Sequence, residues 1–188
     1  MTTDRGQTDI FGGFVPDTAR AMRDGWVQDG AHFYPLIVQF EDTDAGGIVY
    51  HANYLSFAER GRSGWLRILG ISQNDNLYDQ KVGFVVRRAS LDYLRPAKLM
   101  DEVIVETKLK QASRVKMTAE QIIRGIDQPQ AGAKAKNLRD CPIFAKVEVE
   151  IVMVNDGGRP IRFPQQIMDA MLSDSGLPNS GPDNDVAS

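Results

Sequence analysis

A carboxylate, Asp44, and an imidazole, His51, lie close together in the run Phe40-Glu41-Asp42-Thr43-Asp44-Ala45-Gly46-Gly47-Ile48-Val49-Tyr50-His51-Ala52-Asn53-Tyr54. Gly46 and Gly47 accept positive φ without steric cost, so the backbone can reverse between the two residues. The turn feeds a helix whose first N–H groups have no intrahelical acceptor and whose dipole is positive at that end. A carboxylate, an imidazole and free backbone donors are thereby gathered into one small volume, a combination suited to attack on a carbonyl. The competing reading makes Asp44 a turn-forming aspartate that caps a neighbouring N–H. Asp42 reads as structural support. The chemical reading requires the Asp44 side chain to face the amide at the helix entrance across a gap sized for a reacting carbon.

The elements that must position these residues are a strand before the turn and a long helix after it. Residues 33–40 alternate, with Tyr34, Leu36, Val38 and Phe40 on one face. Over residues 54–69, Tyr54, Phe57, Ala58, Gly61, Gly64, Trp65, Ile68 and Leu69 share one helical face, with Glu59, Arg60, Ser63 and Arg67 opposite. Gly70 stands where a left-handed cap is expected. A glycine inside a helix costs roughly 0.8–1 kcal/mol relative to alanine. Gly61 and Gly64 on the apolar face therefore imply close approach to whatever the helix packs on.

Beyond residue 82 the periodicity becomes that of strands. Residues 83–94, 102–111, 114–124 and 144–154 read as strands, most with one apolar and one charged face, as in an antiparallel sheet covered on one side only. Short helices are expected around 18–26 and 164–172, and 72–81 reads as a polar connection. The parts predict an α+β fold with a long central helix wrapped by a twisted antiparallel sheet of about five strands. Open sheet edges favour association, so a homodimer or homotetramer is expected.

The chain of 188 residues is long enough for one domain with extensions. Residues 1–30 read as a polar arm, 31–172 as the folded domain with an inserted loop at 127–142, and 173–188 as a disordered tail. A net charge of −3 gives no reason to expect nucleic-acid binding. No run approaches the roughly 18 apolar residues of a membrane span. The first thirty residues lack an apolar signal-peptide centre, and the lone Cys141 fits a reducing compartment. The expected location is the cytoplasm.

The Glu41–Tyr54 run, followed by Glu59-Arg60-Gly61-Arg62, resembles the signature of hotdog-fold acyl-CoA thioesterases. It is most similar to the group associated with the bacterial Tol-Pal system, kin to the hydroxybenzoyl-CoA thioesterases. Phe84-Val85-Val86-Arg87, with Tyr93, Pro96-Ala97 and Asp101, resembles the same group's second strand and the turn after it. The likeness spans residues 33–172.

The resemblance implies hydrolysis of an acyl-CoA or acyl-carrier-protein thioester, with no cofactor beyond the CoA of the substrate. It makes Asp44 the catalytic carboxylate, the N–H of His51 the donor that polarises the thioester carbonyl, and the His51 side chain a support. One such donor is typically worth about 3–4 kcal/mol of barrier. The carboxylate can act as base on water or attack directly to form an anhydride, and both routes stay open. Phe40 stands where relatives often carry tyrosine, so a non-catalytic hotdog module that binds acyl groups or a protein partner is the alternative.

Tyr50, Asn53, Arg87 and Arg88 are candidate substrate-binding residues, and Arg114 and Lys116 further candidates for CoA phosphates. Each cation could equally be a solvated strand residue. Glu59 suggests a dehydratase carboxylate or, more simply, an ion pair with its helix neighbours. His51 and His32 have no partners at zinc-ligand spacing, so no metal site is expected.

Overall fold

The computed structural model describes residues 18–71, 81–126, 138–175 and 177. In chain order the elements are α1 (Thr18–Asp24), β1 (Trp26–Gln28), β2 (Ala31–Ile37), α2 (Asn53–Ile68), β3 (Val82–Tyr93), β4 (Glu102–Ala112), β5 (Met117–Gly125), β6 (Ile143–Asn155), β7 (Pro160–Ile161) and α3 (Gln165–Ser175). The described strands form one antiparallel sheet in the order β1-β2-β4-β5-β6-β3, with the short β7 paired to β6. The α+β architecture is as expected. The sheet exceeds the expected five strands by two short ones, β1 and β7, too brief to show a periodic pattern.

Helix α2 lies on the sheet through Tyr54, Phe57, Ala58, Gly61, Gly64, Trp65 and Leu66, which are buried. Its first half packs with Val38, Val103, Val105, Ala119 and Val147. Its second half meets Leu109, Met117 and Met153, with Ile167, Met168 and Met171 of α3 closing that end. The two helix glycines are explained by contact. A Cβ on Gly61 would stand 2.9 Å from Cγ1 of Val105, and one on Gly64 would stand 2.6 Å from the carbonyl oxygen of Asp24. Gly70, at φ +72°, ends the helix, with Gly70 N–H bonded to the Arg67 carbonyl and Ile71 N–H to that of Leu66.

Three expectations are corrected. The first strand stops at Ile37, and Phe40 lies in a 3-10 turn, Phe40–Asp42, with 82% of its surface exposed. The cause is local: the Asp42 carboxylate accepts the Gln39 N–H at 2.8 Å while the Asp42 N–H bonds the Gln39 carbonyl at 3.0 Å, turning the chain out of the sheet. The sheet is also not covered on one side only. Val103 to Thr107 of β4 are all buried, and outward-facing Ile104 packs with Ala21, Trp26, Leu138 and Cys141. Residues from the arm and from the end of the inserted loop supply this second cover. Finally, α3 runs on to Ser175, past the expected start of the tail.

Residues 1–17, 72–80, 127–137, 176 and 178–188 are outside the described residues, so most of the arm, the polar connection, most of the loop and most of the tail are too.

Candidate active site

The acidic turn is a small hairpin. Thr43 and Val49 form an antiparallel bridge, Asp44 N–H donates to the Ile48 carbonyl at 3.0 Å, and Gly47 N–H donates to the Asp44 carbonyl at 2.9 Å. Gly47 sits at φ +73°, a left-handed conformation that glycine adopts freely. The Asp44 side chain is exposed, and its Oδ1 accepts the Gly46 N–H at 2.7 Å. The aspartate therefore caps its own turn, while its charge remains at the surface. Asp42 behaves differently: it is buried, and its carbonyl accepts the Tyr50 N–H at 2.9 Å and Nδ2 of Asn53 at 3.0 Å. Those bonds tie the base of the hairpin to the first residue of α2.

At the mouth of α2, the N–H groups of His51 and Ala52 donate to no acceptor among the described residues. The His51 carbonyl accepts the Tyr93 hydroxyl at 3.0 Å, and the exposed His51 ring stacks obliquely on Tyr50 with centroids 4.3 Å apart. Beneath it, the buried Tyr54 hydroxyl accepts the Ala97 N–H at 3.0 Å, and the Ala97 carbonyl accepts the Val49 N–H at 2.8 Å. Burial pushes the Tyr54 phenol above its ordinary pKa, with the Ala97 N–H opposing. Sequence reasoning assigned no role to Tyr54 or Tyr93 in holding this segment. Tyr54 ends the motif run and Tyr93 is among the residues that carry the family likeness, but the partners of their hydroxyls lie far away in the chain.

The other candidates are dispersed. Tyr50 is exposed beside His51, whereas Asn53 is engaged in the bond to Asp42. Arg87 pairs with Glu150 at 2.9 Å, and Lys116 reaches the other oxygen of that carboxylate at 3.1 Å. Arg88 and Arg114 are exposed. Glu59 pairs with Arg62 and accepts the Ser63 hydroxyl, the simple outcome expected of it. His32 is wholly buried, and its Nε2 donates to the Asp24 carbonyl at 2.7 Å. Among the described residues, no three His, Cys, Asp or Glu side chains gather in a way that could hold a metal ion.

A cavity of about 80 Å³ opens further along α2, lined by Glu59, Arg62, Trp65, Leu66, Phe84, Val86, Leu109, Met117, Ala119, Ile151 and Met171. It is an apolar slot with one ion pair on its wall. Asp44 and His51 are not among its lining residues.

A sequence profile of the thioesterase-like superfamily matches residues 38–171, which takes in the hairpin, α2 and most of the sheet. The chain belongs to this superfamily. The acyl-CoA thioesterase YbgC of Haemophilus influenzae is 34% identical to this thioesterase over 140 residues, covering 74% of the chain and 93% of the relative. That of Helicobacter pylori is 32% identical over 129 residues, covering 68% and 90%. The crystal structure of a probable thioesterase from Bartonella henselae superimposes with a TM-score of 0.61 at 30% identity, covering 71% of this chain and 99% of that one. A 4-hydroxybenzoyl CoA thioesterase in complex with 4-hydroxybenzoyl CoA gives 0.65 at 15% identity, covering 76% and 99%, a likeness of fold alone. The fold is the hotdog fold, and the thioesterase is a thioester hydrolase.

Proposed function

We propose that the thioesterase hydrolyses an acyl-CoA to the free acid and CoA, with Asp44 and the His51 amide as its working groups. The observation that supports this most is the His51 N–H, without an acceptor among the described residues at the start of α2 and tied by the hairpin to the turn bearing Asp44. In this reading the thioester carbonyl oxygen lies against that N–H, where the helix end favours the negative charge of the tetrahedral intermediate. Asp44 takes a proton from water as it attacks the carbonyl carbon, or attacks that carbon itself to give an anhydride that water then opens. In both routes the C–S bond breaks and the CoA thiolate leaves to take up a proton.

The apolar slot beside α2 is the natural receptacle for an acyl tail, and Arg88, exposed and without an ion pair among the described residues, is a candidate cation for a CoA phosphate. Strand β3 is at the end of the sheet, with Val85 and Val86 exposed along it, which supports a homodimer joined through that edge. Acyl carrier protein is a second carrier for the same thioester, and the cytoplasm is the compartment this reading places it in. Release of free thiol from acyl-CoA substrates of graded chain length tests the proposal. Absence of release across the whole series overturns it.

A further inference from the structure

We propose that Tyr93 is a positioning residue for this hydrolysis, holding the peptide between His51 and Ala52 so that the helix mouth keeps its N–H groups available to the reacting carbonyl. The inference rests on the functional reading above and adds a residue that acts on the site from another element of the fold.

The first turn of α2 is not a regular α-helical turn. Asn53 N–H bonds the Tyr50 carbonyl, and Leu55 N–H bonds the Ala52 carbonyl at 3.1 Å. In an unbroken α-helix the Leu55 N–H would instead take the carbonyl of His51. The His51 carbonyl is thus left out of the helical ladder, and the Tyr93 hydroxyl donates to it at 3.0 Å. Tyr93 is well placed to compete for it. It is the last residue of β3, paired with Ala145 of β6, and the two residues after it both bond the Phe144 carbonyl, Leu94 at 2.8 Å and Arg95 at 3.1 Å. Its ring meets His51 edge-on at 6.4 Å and Tyr54 at 5.7 Å.

Two consequences follow from elementary peptide chemistry. The His51 carbonyl and the Ala52 N–H belong to one peptide group, so a bond accepted by the oxygen polarises the N–H and makes it a stronger donor. The same bond fixes the plane of that peptide and removes the competing arrangement in which Leu55 captures the His51 carbonyl. Tyr93 therefore sets both the strength of the Ala52 donor and the geometry of the segment that carries the His51 N–H.

Tyr93→Phe keeps the ring and removes only the hydroxyl. The bond is near the surface, so the expected fall in kcat is roughly threefold to tenfold. KM stays within about twofold, because the ordered helix mouth, with the His51 N–H held in place, acts on the oxyanion rather than on the bound thioester. In proton–nitrogen correlation spectra of the full chain, the Ala52 and Leu55 amide signals move. Unchanged amide signals in Tyr93→Phe overturn the inference, as does a kcat equal to that of the unsubstituted enzyme or a loss confined to KM. The spectra report on the clamp without any turnover. A chain that releases no thiol from any substrate, with shifted amides in the variant, therefore counts against the proposed hydrolysis and not against the clamp.

Discussion

The Asp44 carboxylate accepts the N–H of Gly46 at 2.7 Å, so one of its oxygens is spent on holding the turn that displays it. An asparagine at this position can still accept that N–H through its amide oxygen, but it carries no negative charge and cannot act as base or nucleophile. Asp44→Asn is expected to lower acyl-CoA turnover by about a hundredfold or more, with an unchanged thermal midpoint. Near-normal thiol release from the variant counts against Asp44.

Gly64 and Gly61 meet different obstacles. At Gly64 the obstacle is backbone, the Asp24 carbonyl oxygen at 2.6 Å, whereas at Gly61 it is a side chain, Cγ1 of the buried Val105 at 2.9 Å. Overpacking typically costs 1–3 kcal/mol, and alanine recovers roughly 0.8–1 kcal/mol of helix propensity. Gly64→Ala should therefore destabilise by roughly 2 kcal/mol and Gly61→Ala by roughly half that. Denaturant unfolding measures both, and the reverse order contradicts this packing.

The Tyr54 hydroxyl is the acceptor for a buried Ala97 N–H. Tyr54→Phe strands that donor away from water, at an expected cost of about 1–3 kcal/mol. Because Ala97 also accepts the Val49 N–H, the hairpin should loosen as well, seen as faster amide exchange at Val49. Exchange unchanged at Val49 contradicts the coupling.

His32 is buried, and burial, with the nearby Arg67 charge, holds its pKa at about 4 against the opposing bond to the Asp24 carbonyl. Its Nδ1 is buried without a partner in the described residues. A histidine whose pKa is lower folded than unfolded binds fewer protons in the native state. Its contribution to stability is complete above about pH 6.5 and is lost as the pH falls toward 4. The expected loss is on the order of 3 kcal/mol, measured by urea unfolding across that range. An imidazole titrating near its ordinary value in the folded chain refutes this.

If the apolar slot beside α2 takes the acyl tail, enlarging a wall residue shortens the tail it accepts. Val86 lines the slot from the exposed strand β3. Val86→Trp should lower kcat/KM for the longest accepted acyl-CoA by roughly tenfold or more while leaving the shortest nearly unchanged. A uniform loss at every length, in a variant whose oligomeric state by sedimentation is unchanged, places the tail elsewhere.

The helix, its glycines, the left-handed Gly70 cap, the acidic turn and the likeness to thioesterases were all legible in the residue order. Each is a short-range pattern: apolar spacing, a turn residue, a run of neighbours whose types repeat across a family. The departures share an opposite character. Phe40 continues the alternation of β2 but points outward, because a capping bond from Asp42 ends the strand first. Ile104 sits on the face marked polar by its neighbours, yet Trp26, Leu138 and Cys141 cover it.

The sequence by itself determined that a charged Asp44 and the opening of a long amphipathic helix would be neighbours, since a glycine turn between them permits nothing much larger than a hairpin. Only the tertiary structure decided that Tyr93 would capture the His51 carbonyl and that the apolar slot would lie beside the later turns of α2. The physical reason is that both are contacts between segments brought together by sheet register and helix docking. The pairing of Tyr93 with Ala145 and the seating of Gly61 against Val105 set where those side chains end, and neither partner is near the other in the chain.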